Sequence, residues 1–165
     1  MTIILEDGTG LSTAETLTSV AEADTYHRNR GAADWALLST AEKEQALRKA
    51  NDYLRQAYRA RWQGTKVLST QACDWPRANV VVDGDFVSST SVPTDVKNAV
   101  ANLALRADTT TLNPDQTQKV LRERVDTLEV EYSPYAPSET VIKEVEDLLA
   151  PYLKGGGSSA VLVRR

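Results

Sequence analysis

The sequence predicts a mainly α-helical domain, a small bundle of about four helices with a short β-hairpin or strand element and a flexible C-terminal arm. Three observations lead to this class. The chain has 165 residues, of which 41% are hydrophobic, so it is long enough to bury one core. Apolar residues recur at helical spacing in several separate stretches. A Gly-Gly-Gly-Ser-Ser run then breaks the pattern near the C-terminus, so we expect one domain over 1–154 and a linker with a docking arm over 155–165.

The first two long helices are predicted from their capping boxes. In such a box a Ser side chain accepts from the backbone N–H three residues on, and a Glu side chain at that position accepts from the backbone N–H of the Ser. The segment Ser19–Glu22 has this pattern, and Gly31 marks the end of the helix that follows. The segment Ser39–Glu42 has it too and begins the most regular helix, over about 40–60.

Two further helices follow later in the chain. Pro93 suits the start of a helix, where its missing N–H costs nothing, and an apolar face continues over about 94–107. Ser138 is a favourable N-cap for the last helix, whose broad apolar stripe ends before Gly155.

Two segments between the helices have the alternating pattern of β-strands. Val81-Val82 and Phe86-Val87 flank an Asp83-Gly84 pair, which is a strong hairpin signal. Apolar and polar residues alternate over 127–132, which indicates one short strand.

The C-terminal arm has its own composition. It combines a short apolar strand-former with a basic end and has little to pack against in its own domain. We consider two interpretations, a frayed terminus and an arm that becomes ordered on a partner. The candidate contact residues of the arm are Val161, Leu162, Val163, Arg164 and Arg165.

The sequence lacks the residues that most catalytic and metal-binding sites need. Cys73 and His27 are the only residues of their types, which excludes an intrachain disulfide and a zinc site built from several thiols and imidazoles. Gly8 and Gly10 do not begin a dinucleotide-binding loop, because Thr13 stands where the third glycine belongs. We therefore expect no enzyme activity, no cofactor and no metal site, and we expect His27 at the surface or capping its helix.

The N-terminus and the net charge argue against further classes of protein. The N-terminus has neither a basic region nor a long apolar run, so we expect no signal peptide, no membrane anchor and a soluble protein made in a reducing cytoplasm. The formal net charge of −4 argues against wholesale coating of nucleic acid.

Charge is distributed unevenly along the chain. Residues 48–66 hold six Lys or Arg and one Asp, whereas residues 1–47 hold eight acidic and three basic side chains. A basic sector on one copy could therefore meet an acidic sector on the next. Such a head-to-tail contact generates rings or filaments.

The second long helix carries much of the basic sector. Helical spacing places Arg48, Arg55 and Arg59 on the face opposite the apolar stripe, and Asp52 is spaced to pair with either of the first two. Arg61 follows directly. This face is either solvated, with local ion pairs, or an interface with another protein, such as the next subunit, since protein contacts over-use Arg.

Three tryptophans, Trp35, Trp62 and Trp75, lie in loop-like or helix-terminal positions. One interpretation is that they cover the core and pin the long 63–92 connection. The other is that tryptophan and arginine together form a platform on which unpaired bases stack. The candidate residues for this platform are Trp62, Trp75, Arg61 and Arg77.

Over residues 6–153 the order of short motifs resembles a family of small tailed-phage proteins. The chain is similar to head-tail connector (adaptor, head-completion) proteins, and this family is often labelled DnaT-like single-stranded DNA-binding. The motifs that carry the resemblance are Glu6-x-Gly8-Thr9-Gly10-Leu11, Ser19-Val20-Ala21-Glu22-Ala23-Asp24-x-Tyr26, Arg61-Trp62-x-Gly64 and Trp75-Pro76-Arg77.

The resemblance implies a structural virion protein rather than an enzyme. It implies a homo-oligomeric ring of about a dozen copies at the virion neck, with double-stranded DNA passing through the lumen. The implied partners are the portal protein and a tail, stopper or tail-terminator protein, with no membrane. With the resemblance, the candidate residues for the subunit or portal interface are Arg48, Arg55, Arg59 and Arg61. The alternative is a single-stranded DNA-binding accessory protein, which the family label suggests.

Overall fold

The structure is a computed structural model, which describes residues 2–114, 122–125, 128–131 and 142–155. The fold is mainly α, as predicted. The helices are α1 (Val20–Arg28), α2 (Ala33–Leu37), α3 (Thr40–Tyr58), α4 (Thr94–Thr109) and α5 (Lys143–Leu149), with a 3-10 turn over Ala150–Tyr152. The strands are β1 (Thr65–Lys66), β2 (Arg77–Ala78), β3 (Val81–Val82), β4 (Asp85–Phe86), β5 (Arg122–Val125) and β6 (Leu128–Glu131).

The three longest helices are where the sequence predicts them. Ser19 and Ser39 are the N-caps of α1 and α3, and each completes its capping box with the Glu three residues on. Pro93 precedes α4, which extends two residues beyond the predicted end.

The last helix differs from its prediction at both ends. Helix α5 begins at Lys143 with Ile142 as its N-cap, while the predicted N-cap Ser138 lies outside the described residues. It ends at Leu149 because Pro151 has no N–H and its ring obstructs an α-helical continuation. Leu153 instead forms a β-bridge with Trp62.

The β structure consists of three antiparallel pairs, β1-β2, β3-β4 and β5-β6. The predicted hairpin is confirmed, with Val81 opposite Phe86 and Val82 opposite Asp85. The predicted strand over 127–132 is found as β6, which pairs with the unpredicted β5. The β1-β2 pair and helix α2 were also not predicted, because elements of two to five residues carry too little periodicity.

One buried cluster holds the domain together. Helix α3 packs most extensively on α4, which also contacts α5 and α1. The long connection from α3 to α4 contributes tryptophan side chains to the same cluster. None of the helices in the described ranges is both long and apolar enough to cross a lipid bilayer.

Candidate interaction surfaces

Trp62 and Trp75 lie inside the protein, each with none of its surface exposed. Their rings meet edge to face with centroids 5.7 Å apart, and Trp75 makes the same kind of contact with Tyr152, also at 5.7 Å. Trp62 and Trp75 therefore do not form the predicted platform for unpaired bases, because neither indole face is exposed to a base. The positions match the other interpretation, in which the tryptophans pin the connection between α3 and α4.

Arg77 is also used within the fold. It is only 7% exposed, and its guanidinium donates to the carbonyl oxygens of Gln63 at 2.7 Å, Gly64 at 2.9 Å and Asp74 at 3.2 Å. Burial lowers the pKa of this side chain from its ordinary value. Arg77 thus ties the start of the 63–92 connection to the Trp-Pro-Arg motif and has no free face for a phosphate.

The close approach at Gly64 explains why a glycine stands there. Its φ is +59°, and a Cβ at this position would lie 2.0 Å from the carbonyl oxygen of Ala78. The carboxylate of Asp74 is buried beside this region, with Lys66 Nζ 3.4 Å from its Oδ1. Lys66 therefore supplies an opposite charge to this carboxylate, although neither of its oxygens accepts a hydrogen bond from the described residues.

The Gly8 loop binds a carboxylate of its own chain. Glu6 is 2% exposed and accepts hydrogen bonds from the backbone N–H groups of Gly8 at 2.9 Å, Gly10 at 2.8 Å and Leu11 at 2.8 Å. Backbone N–H groups of this kind are used elsewhere to hold anions. Here the internal carboxylate occupies them, which agrees with the rejection of a dinucleotide-binding loop.

The prediction for His27 was wrong. The ring is buried and its Nε2 lies 3.0 Å from the carbonyl oxygen of Ala101, while Trp35 packs against it at a centroid distance of 4.7 Å. Burial lowers the pKa of His27, which favours the neutral imidazole. Among the described residues, no group of three His, Cys, Asp or Glu side chains is placed to hold a metal ion.

Two of the four candidate arginines form ion pairs within the subunit. Arg48 Nε and Nη2 donate to the two carboxylate oxygens of Glu15 at 3.0 and 3.1 Å, and this bond lowers the pKa of Glu15. The predicted pairing of Asp52 with Arg48 or Arg55 does not occur among the described residues. Arg48 instead pairs with Glu15 and lies 3.9 Å from Glu44.

Arg61 is engaged in the same way at the other end of α3. It donates to the carboxylate of Glu146, which lowers the pKa of that group, and its guanidinium carbon lies 5.0 Å from the ring centre of Tyr58. Arg61 therefore connects α3 to α5. Roughly half of its side chain is still exposed, so the contact occupies it without burying it.

The other two arginines of α3 have no ion pair in the part of the chain that the structure describes. Arg59 is exposed and Arg55 half-buried, and both line a shallow depression together with Asp52, Gln56 and Ala60. We call this depression the α3 basic face. It contains the two arginines of the predicted subunit and portal interface that are not engaged in ion pairs within the subunit, as Arg48 and Arg61 are.

A second exposed surface lies on the β3-β4 hairpin. Phe86 is 80% exposed and Val81 is 39% exposed, and the two lie opposite each other across the hairpin. The turn requires positive φ at both central positions, which Asp83 (φ 53°) and Gly84 (φ 93°) supply. The hairpin was predicted from sequence but its exposure was not. The sequence carried no local signal for this exposure, because Phe86 stands beside Val87 in an ordinary strand pattern.

The predicted docking arm lies outside the described residues, so the structure places none of Val161, Leu162, Val163, Arg164 and Arg165. Gly155, the last described residue, lies in a cleft beside the hairpin that is also lined by Gln63 and Val81.

The fold and these surfaces define a small mainly α-helical domain with a basic helix face and an apolar hairpin exposed for contacts. The chain belongs to the family whose model is described as "Putative DnaT-like ssDNA binding protein", which it matches over residues 1–165. No curated protein and no solved structure matches the chain.

Proposed function

We propose that the protein is a head-tail connector subunit of a tailed phage. About a dozen copies form a ring that joins the portal to the tail and lines the DNA exit channel at the virion neck. The observation that carries the proposal is which aromatic and basic residues are buried and which are exposed. Of the groups proposed to bind single strands, Trp62, Trp75 and Arg77 are buried and Arg61 is paired with Glu146, whereas other exposed groups form two different surfaces, the α3 basic face and the hairpin.

Two different exposed surfaces suit a ring. A heterologous contact joins one patch to a second, different patch on the next copy, and repetition of the contact closes a ring when the rotation allows it. Exposed aromatic residues and arginines are also the side chains that protein interfaces favour. The short-motif resemblance to connector proteins gives the ring its proposed place, between portal and tail.

The test is assembly on the cognate portal protein. Purified protein is mixed with the portal encoded by the same phage or prophage, and the products are measured by native mass spectrometry and negative-stain imaging. The proposal predicts a complex with a ring of connector copies on one end of the portal. A portal that stays bare at micromolar connector concentration contradicts it.

The C-terminal arm has its own test. Deletion of residues 156–165 is expected to leave thermal unfolding unchanged and to abolish docking, because we propose that the arm contacts the portal or tail protein. Virions that assemble normally with the truncated protein would rule out this role of the arm while leaving the ring proposal intact.

The second candidate function is single-stranded DNA binding, which the family description favours. Among the described residues, the α3 basic face offers the exposed Arg59 and the half-buried Arg55 to phosphates, and Lys49 is exposed on the same helix, whereas Trp62 and Trp75 are buried. This function predicts that oligo-dT binding weakens steeply between about 50 and 200 mM salt. It also predicts that an Arg55→Ala/Arg59→Ala variant loses binding while Arg28→Ala, an exposed arginine on α1, keeps it.

A further inference from the structure

The β3-β4 hairpin combines exposed apolar area with negative charge. Phe86 and Val81 share one face of the two-stranded ribbon, and Val82 packs partly against the domain core from the other. Asp83 in the turn and Asp85 at the start of β4 are both exposed, and neither has an ion pair among the described residues. Asp85 pairs with Val82 and so lies on the face opposite Phe86, while Asp83 lies at the tip. The turn end of the hairpin therefore presents an aromatic ring on one face and carboxylates at its tip and along its other face.

The α3 basic face has the complementary character. Arg55 and Arg59 are one helical turn apart, and the aliphatic parts of Gln56 and Ala60 lie between and beside them in the same depression. The single acidic group that lines it, Asp52, leaves a net positive charge. No ion pair joins this face to the hairpin within the described structure of one copy.

We propose that the β3-β4 hairpin of one copy docks by its turn end on the α3 basic face of a second copy. Asp83 and Asp85 then approach Arg55 and Arg59, and the ring of Phe86 covers the apolar floor at Ala60. Each copy contributes its hairpin to one neighbour and its α3 basic face to the other neighbour, so the contact is heterologous. This contact would be the one that joins neighbouring copies in the connector ring, so the proposal rests on the proposed function.

A second copy fits these observations better than a nucleic acid does. Phosphates would be attracted by Arg55 and Arg59, but they would leave Phe86 and the two carboxylates of the hairpin without a partner. A second copy supplies an opposite charge and an apolar partner to both surfaces at once. The contact is small, so single pairs are expected to be weak and ring closure to make the assembly stable.

The first experiment uses disulfide trapping of full-length protein. Asp85→Cys and Arg59→Cys proteins are mixed and oxidised, and the expected product is a covalent dimer that contains one copy of each. The native Cys73 does not interfere, because it is buried and its pKa is raised to about 11. The control mixture replaces Asp85→Cys by Leu37→Cys, since Leu37 is 83% exposed on α2, away from both patches. Equal cross-linking in the two mixtures, or none in either at millimolar protein, overturns the proposal.

The second experiment exchanges the charges. Asp85→Arg and Arg59→Glu are each expected to reduce self-association, measured by sedimentation velocity and by the yield of portal-bound rings, by about tenfold or more. The variant that carries both changes should recover much of the loss, because the exchanged charges again face each other. Phe86→Ser should weaken association by a similar factor, whereas Leu37→Ser should not.

The outcomes separate this contact from the proposed function. Rings that form on the portal equally well with every variant overturn the hairpin contact and leave the connector function standing. Efficient and specific disulfide trapping without any complex on the portal supports the hairpin contact and overturns the connector function. A double charge variant that is no better than the single variants also overturns the proposed pairing.

Discussion

The segment from Trp62 to Arg77 and the β3-β4 hairpin are neighbours in the chain, and both carry aromatic and charged residues. In the first region the rings of Trp62 and Trp75 are fully buried and the guanidinium of Arg77 donates to three backbone carbonyls. In the second, Phe86 is almost completely exposed and the aspartates lack ion pairs in the described structure. Residue type alone therefore does not identify a binding surface. What separates the two regions is whether the fold supplies partners for the polar groups and cover for the rings.

The largest expected effect separates a buried from an exposed aromatic residue. Trp75→Ala should lower the free energy of unfolding by about 3–5 kcal/mol, because it removes the ring between Trp62 and Tyr152 and leaves a cavity. Phe86→Ala should change it by no more than about 0.5 kcal/mol. Urea unfolding followed by circular dichroism measures both. Similar losses for the two variants would contradict the contrast between the regions.

The next effect compares two arginines. Arg77→Ala should cost about 1–3 kcal/mol, because the carbonyl groups of Gln63 and Gly64 lose their buried donor. Arg77→Lys should recover only part of this, since an ammonium cannot reproduce the planar fork. Arg59→Ala, which breaks no contact seen in the described structure, is the matched control and should be nearly neutral. A neutral Arg77→Ala variant would show that the loop does not depend on this side chain.

Stability should also fall as the solution is acidified through the range of the buried histidine. The folded state holds the pKa of His27 below its ordinary value of 6.5, chiefly through burial, with Arg30 and Lys43 acting in the same direction and Asp24 against them. The unfolded state then binds more protons, so the stabilisation is complete above about pH 6.5 and is lost as pH falls through the folded pKa. Carboxyl groups with lowered pKa, such as Glu15 with a reference value of 4.5, add their loss only at lower pH.

The measurement is the free energy of unfolding at closely spaced pH values between 5 and 7.5. The wild type should show a positive slope with pH in this window, and His27→Gln should flatten it even if the variant is less stable overall. A slope that is the same in both proteins would assign the dependence to other groups.

The smallest expected effect concerns Arg61 and Glu146. A double-mutant cycle with Arg61→Ala and Glu146→Ala should give a coupling energy of about 0.2–1 kcal/mol, because the pair is partly exposed and screened by solvent. The cycle separates this ion pair from the contact of Arg61 with the ring of Tyr58. A coupling near zero would show that the ion pair of Arg61 with Glu146 adds nothing measurable to the connection between α3 and α5.

Sequence patterns predicted the long helices well because capping boxes and apolar stripes are local signals. Ser19, Ser39 and Pro93 each stand at the helix start that the pattern indicates. The hairpin at Asp83-Gly84 was predictable for the same reason, since its turn chemistry lies within two residues.

The candidate site was harder to predict because burial and pairing depend on contacts between distant segments. The pairing of Arg48 with Glu15 spans 33 residues, and that of Arg61 with Glu146 spans 85. Neither follows from helical spacing, which suggested Asp52 as the nearest partner for Arg48. Likewise, the acceptor at Ala101 that holds His27 inside the core lies 74 residues away.

We propose that the exposed surfaces, not the buried tryptophans, perform the function, and that this function is assembly. Its most direct test is native mass measurement of the full chain alone and with the cognate portal, run beside an oligo-dT titration at two salt concentrations. The account predicts a ring, formed alone or on the portal, and no complex with single strands. A small species that ignores the portal and binds single strands with a steep salt dependence would contradict it.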